Sequence, residues 1–142
     1  MEDSEKENLF LTFKGVIESI ILDKRRNPKN NKILDTFQAK LNMGLQTEEE
    51  FYLWVNLTAK KGKYALGKGK LEEYDLEIRA TPEDLMGFSS GENSTLHMML
   101  KKNKYGFKKL RYDKSSYGKR NFGILLKLPK VLVLDKIKQP KK

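Results

Sequence analysis

Apolar and polar residues alternate along the middle of the chain. Phe37, Ala39, Leu41 and Met43 interleave with Gln38, Lys40 and Asn42, and after a polar turn Phe51, Leu53, Val55 and Leu57 resume the same rhythm. A period of two describes strands with one buried face. A third run, 63–71, follows the Lys60-Lys61-Gly62 turn, and a fourth, 74–80, sets Tyr74, Leu76, Ile78 and Ala80 against Asp75, Glu77 and Arg79. Loops this short cannot carry a parallel crossover between consecutive strands, so the pattern predicts an antiparallel meander. Thr81-Pro82-Glu83-Asp84 then reads as an N-cap, a proline at the first helical position and acids over the positive end of a helix.

Before the strands, Leu9, Phe10, Phe13, Ile17, Ile20 and Ile21 recur at three and four, which predicts a helix over 5–26 with Asp3 or Ser4 as its cap. Lys24-Arg25-Arg26 falls in its last turn, and Asn27-Pro28 ends it. Ile33, Leu34, Phe37 and Leu41 fit both a helical stripe and a strand entry. The strand is favoured from Phe37, because the runs that follow need a partner. Beyond the Thr81 cap a short helix is expected over 82–88, a second from Asn93 or Ser94 to Lys102, and a fifth strand over 106–112. From Tyr117 the chain is apolar and studded with lysines, predicting a terminal helix that begins near Gly118 and is ended or kinked by Pro129. Residues 139–142 are expected to fray.

With 142 residues and 38% hydrophobic content, the whole chain, 1–142, reads as one domain around one core. It holds no cysteine and a single histidine, His97, which leaves neither a disulfide framework nor a thiolate metal site. The acidic start, Met1-Glu2-Asp3-Ser4-Glu5, is unlike the basic start of a secretory signal, so a cytoplasmic protein is expected. Glu48-Glu49-Glu50 and Glu72-Glu73 sit in predicted turns, where a solvated loop accounts for them. Residues 62–69 look like a Walker A loop, but Gly69 stands where Ser or Thr belongs and a strand pattern surrounds them; the glycines there mark a close backbone approach. No nucleophile and base stand at a recognisable spacing, so catalysis, a metal and a cofactor are all unexpected.

The net charge of +10 is uneven. Residues 1–100 carry 14 Lys/Arg against 17 Asp/Glu, whereas residues 101–142 carry 15 against 2. Whatever anion the protein meets, it meets through its C-terminal third. Two classes of function use what is present. One is a carrier of a hydrophobic ligand in a cavity between sheet and helices, with Met98 and Met99 as adaptable lining beside Phe122 of the apolar tail. The other is a small nucleic-acid-binding domain, with Tyr105, Phe107, Tyr112, Tyr117 and Phe122 as stacking groups among the lysines. Charge does not separate them, since a carrier that makes transient contact with an anionic membrane surface gains from the same basic face.

The order of the parts resembles the sterol carrier protein type 2 family. The residues that carry the resemblance are Gly62-Lys63 with Gly67-Lys68-Gly69, the run Asp75-Leu76-Glu77-Ile78-Arg79-Ala80-Thr81-Pro82-Glu83-Asp84-Leu85, and Gly123-Ile124-Leu125-Leu126-Lys127-Leu128. The match is densest over 51–88 and returns in the last 40 residues. The resemblance implies an α+β domain with a five-stranded, mostly antiparallel sheet, helices over one face, and non-catalytic binding or transfer of fatty acid, fatty acyl-CoA, sterol or phospholipid. Carried over by position, the cavity is walled by Leu53, Val55, Leu76 and Ile78 from the sheet, by Leu85, Met86 and Phe88 from the capped helix, and by Leu125, Leu126 and Leu128 from the tail. Lys119, Arg120 and Lys127 stand near its mouth as partners for an anionic head group. The chain departs from the family's eukaryotic members in lacking a terminal Ser-Lys-Leu type address, and its 113–120 loop is long and basic.

Overall fold

The computed structural model describes residues 2–135. Helix α1 spans Asp3–Arg25 and buries Phe10, Phe13, Ile17, Ile20 and Lys24, a stripe at three-and-four spacing. Its N-cap is Glu2, without a side-chain cap bond, so neither Asp3 nor Ser4 caps it; both lie inside the first turn. A 3-10 turn at Pro28–Asn30 leads into a short helix α2, Asn31–Thr36, and only then does β1 begin at Ala39–Glu48. The ambiguous stretch is thus helix first and strand second. Strands β2 (Phe51–Lys60) and β3 (Lys63–Lys68) follow as antiparallel hairpins.

Strand β4, Leu76–Ala80, departs from the expected meander. It pairs in parallel with β1 on the far side of the sheet, giving the order β3-β2-β1-β4 and then β5, Arg111–Asp113. The 69–75 segment reaches this position by crossing the sheet's helix-free face, a span of three strand spacings or about 14 Å. It is held there as it crosses: Asn56 Nδ2 donates to the carbonyls of Lys68 and Gly69, and Asn42 bonds the backbone of Leu71 through both ends of its amide. β3 and β4 do not pair at all, and the meander is replaced by a parallel pair between β4 and a strand two hairpins earlier.

Ala39, Leu41, Met43, Leu45, Val55, Leu57, Leu76, Ile78 and Ala80 form the buried inner face of the sheet. Helices α1, α3 (Pro82–Ser89) and α5 (Phe122–Leu132) pack against it, with α4 (Thr95–Leu100) beside α3. The Thr81 hydroxyl accepts from Asp84 N–H at 3.1 Å and Pro82 starts α3, as the local sequence predicts. Ser94 does the same for α4 through His97 N–H. Pro129 lies inside α5 rather than ending it, at the cost of the hydrogen bond its nitrogen would have given to the carbonyl of residue 125. Residues 101–110 form a turn closed by a single bridge between Lys102 and Lys108, so the fifth strand is shorter and later than its sequence suggests. No helix among the described residues is long and apolar enough to cross a membrane.

Candidate functional site

The space between sheet and helices is filled. Phe13, Ile17, Met43, Ile78, Leu85, Phe88, Leu110, Leu128 and Leu132 converge there on a void of about 20 Å³, room for one small molecule such as water and not for a hydrocarbon tail. Five of the anticipated cavity residues, Val55, Leu76, Met98, Leu125 and Leu128, are at most 1% exposed and act as core. Ile78, Leu85 and Phe88 border the small void. Leu53 and Val55 instead border an open apolar depression of about 420 Å³ against the N-terminal turns of α1, flanked by Lys6, Glu7 and Lys68. Leu126 and Phe122 face outward at 52% and 43% exposure, and Met99 packs at the core's edge.

A second open and apolar hollow lies on the other flank of α1. It is a groove of about 460 Å³ bounded by Leu11, Thr12, Gly15, Val16, Ser19 and Ile20 from α1, by Met86, Ser89 and Ser90 from α3 and its C-cap, and by Leu134 from the chain beyond α5. Of the residues anticipated from sequence, Met86 is the one that lines it. Thr12, Gly15 and Ser19 explain why the groove exists. They sit beside the core stripe of α1 on the groove's wall, and a Cβ built on Gly15 meets nothing within 4 Å. A glycine in a helix interior costs about 1 kcal/mol relative to alanine, and here no packing requirement explains it. This was the legible signal: small residues flanking an otherwise heavy apolar stripe.

The far wall is pinned by polar contacts. Leu134 N–H donates to Ser89 O at 2.8 Å, so the residue that closes the groove is tied to the helix opposite α1. Behind it, the buried Lys24 ammonium donates to Val133 O at 2.8 Å and to Asp135 Oδ1 at 3.0 Å, and Asn30 Nδ2 donates to Asp135 Oδ2 at 2.8 Å. The hydrogen bond from Lys24 holds the Asp135 carboxyl below its ordinary range. Lys24 belongs to the basic triplet at the end of α1, and it has a structural partner there.

The lining of the groove holds no acid, base, thiol or imidazole; its polar atoms are the hydroxyls of Thr12, Ser19, Ser89 and Ser90 and backbone groups. Such a surface offers burial and a few hydrogen bonds, and nothing that titrates. Lys119, Arg120 and Lys127, expected at a ligand mouth, are exposed and line neither the groove nor the void. Arg120 lies 4.7 Å over the Tyr112 ring instead. The aromatic residues weighed as a stacking platform are likewise largely engaged within the chain: Tyr105 Oη donates to Thr47 O, Phe107 carries the Arg111 guanidinium at 4.3 Å, and Tyr112 meets Phe122 at 5.9 Å. Tyr117 is 68% exposed, with Glu73 as its side-chain partner.

The chain is similar to solved structures. The sterol carrier protein domain 2 of Helicoverpa armigera superposes with a TM-score of 0.59 at 15% identity, over 90% of this chain and 94% of its own. Sterol carrier protein 2 like 2 of Aedes aegypti gives 0.46 at 13%, over 84% and 98%. No family model matches the sequence, and no curated protein is found similar to it. The chain therefore has the α+β fold of a sterol carrier protein 2 domain, with a five-stranded, mostly antiparallel sheet.

Proposed function

We propose that the protein binds a hydrophobic ligand, of the class of fatty acid, fatty acyl-CoA, sterol or phospholipid, in the groove between α1 and α3, and carries it without catalysing a reaction. The observation that carries this reading is the groove itself. Its volume of about 460 Å³ falls within the roughly 300–1,000 Å³ typical of small-molecule sites, and its lining is apolar around a helical glycine that leaves it open. Burial of an acyl chain gains about 0.8 kcal/mol per methylene, so ten buried methylenes supply about 8 kcal/mol before the cost of association. The likeness to a sterol carrier protein domain supports the fold in which such a carrier is built. A location inside the cell fits a carrier of this kind.

Native mass spectrometry of the purified full-length chain, followed by organic extraction, tests the reading. A co-purifying fatty acid or lipid, or saturable uptake of a fluorescent fatty acid by the delipidated protein, is the expected result. Bare-chain mass together with no fatty-acid uptake overturns it.

A further inference from the structure

The strongest feature outside the groove is an exposed apolar pair set in a field of lysines. Leu96 and Leu100 stand one turn apart on α4 and are 66% and 60% exposed, while Met98 between them is fully buried. Helix α4 therefore turns Met98 into the core and Met99 against its edge, and leaves two leucines facing outward. The chain that follows is basic: residues 95–111 contain six Lys/Arg and no Asp or Glu.

Backbone geometry folds that charge back beside Leu100. Lys109 N–H donates to Lys101 O, Lys102 bridges to Lys108, and Lys108 Nζ donates to Leu100 O at 3.0 Å, which folds the lysine turn back against the end of α4. Lys104 and Lys109 reach Glu83 and Asp84 of α3 at 3.7 and 3.6 Å, tying the turn to the body of the protein. Lys101, Lys102 and Lys108 are exposed beside Leu100.

We infer that α4 and the 101–109 turn form a docking surface for an anionic lipid bilayer. Charge complementarity names the occupant: leucines have nothing to gain from a nucleic-acid backbone, whereas a bilayer takes apolar side chains below its head groups and lysines at their level. The surface stands independently of what the groove holds.

Flotation of the full-length protein with phosphatidylcholine vesicles, with and without phosphatidylserine, tests the inference. Binding is expected with phosphatidylserine and not without it. Leu96→Gln with Leu100→Gln, two exposed sites, should weaken it at least tenfold, and Lys101→Glu with Lys102→Glu and Lys108→Glu should weaken it by about fivefold or more per charge. Circular dichroism confirms that both variants fold. Vesicle binding unchanged in both variants overturns the surface. So does binding to a single-stranded oligonucleotide that needs the lysines and ignores the leucines, with no binding to vesicles.

Discussion

The side-chain amide of Asn42 grips the backbone of Leu71 from both ends: Nδ2 donates to Leu71 O at 3.0 Å, and Leu71 N–H donates to Oδ1 at 2.7 Å. Asn42 is fully buried in β1, on the face away from the helices, and Leu71 lies within the crossing that carries the chain from β3 to β4. The pair therefore stands where the order of the sheet is decided. Replacement by leucine keeps the branched shape at a somewhat larger volume, removes both bonds, and leaves a peptide N–H and C=O facing an apolar side chain. The expected cost is about 2–4 kcal/mol, measured by urea denaturation. Asn42→Asp, which retains the acceptor but buries a charge, should also destabilise at neutral pH and recover in part on acidification. A wild-type unfolding midpoint in Asn42→Leu would show that the crossing is held by other contacts.

Lys24 and Asp135 make a second long-range tie, and its pH dependence has a definite sign. The folded carboxyl titrates below its unfolded value of about 4. Its contribution is thus present above that value and lost as pH falls through the folded one. Asp135→Asn should unfold at lower urea than wild type at pH 7, and the difference should shrink as the pH falls below the ordinary carboxylate range. Lys24→Met, which strands Val133 O as well, should cost about 1–2 kcal/mol. Equal acid dependence in wild type and Asp135→Asn would remove the tie from the stability of the fold.

At the opposite end of the pH scale stands Tyr64. Its hydroxyl donates to Leu34 O at 2.8 Å, and burial pushes its pKa up to about 12, with Arg25 pulling the other way. The folded state keeps this proton where the unfolded chain, with an ordinary value near 10, gives it up. Stability should therefore fall as pH rises from about 10 to 12. Tyr64→Phe should lose about 1 kcal/mol at neutral pH and show a flatter alkaline limb. An unaltered alkaline limb in that variant would assign the loss to other groups.

These contacts also show where the sequence was legible. The strand runs, the Thr81 cap and the stripe of α1 are local patterns, and the structure follows them within a few residues. The place of β4 is not local. It depends on Asn42 and Asn56 catching a segment that is distant in sequence, and an asparagine inside a strand looks like any polar residue of its outer face. The fifth strand is shortened for a similar reason, since Tyr105 and Asn103 bond to Thr47 and Gln46 of β1 and hold the 101–110 chain as a turn. The groove was missed for a different reason. Periodicity finds residues that fill space, and Leu76, Leu125 and Leu128 fill it so well that the anticipated cavity is core. The hollow is made by what is small, Thr12, Gly15 and Ser19, and those positions carry no hydrophobic signal.

Gly15 separates the roles of folding and binding. It is exposed on α1, lines the groove, and leaves open space where its side chain would be. Gly15→Ala should raise stability by about 1 kcal/mol through helix propensity alone and leave most of the groove intact. Gly15→Leu should stabilise by a similar amount while its side chain occupies the groove between Leu11 and Ser19, so fatty-acid uptake should drop at least tenfold in a protein that melts higher than wild type. Leu128→Ala provides the contrast: a core truncation beside the small void costs about 2–5 kcal/mol and leaves the groove's lining untouched. If Gly15→Leu binds fatty acid as wild type does while Leu128→Ala alters the affinity, the ligand enters the core and not the α1–α3 groove. Because the leucine variant gains stability as it loses binding, unfolding cannot account for the expected result.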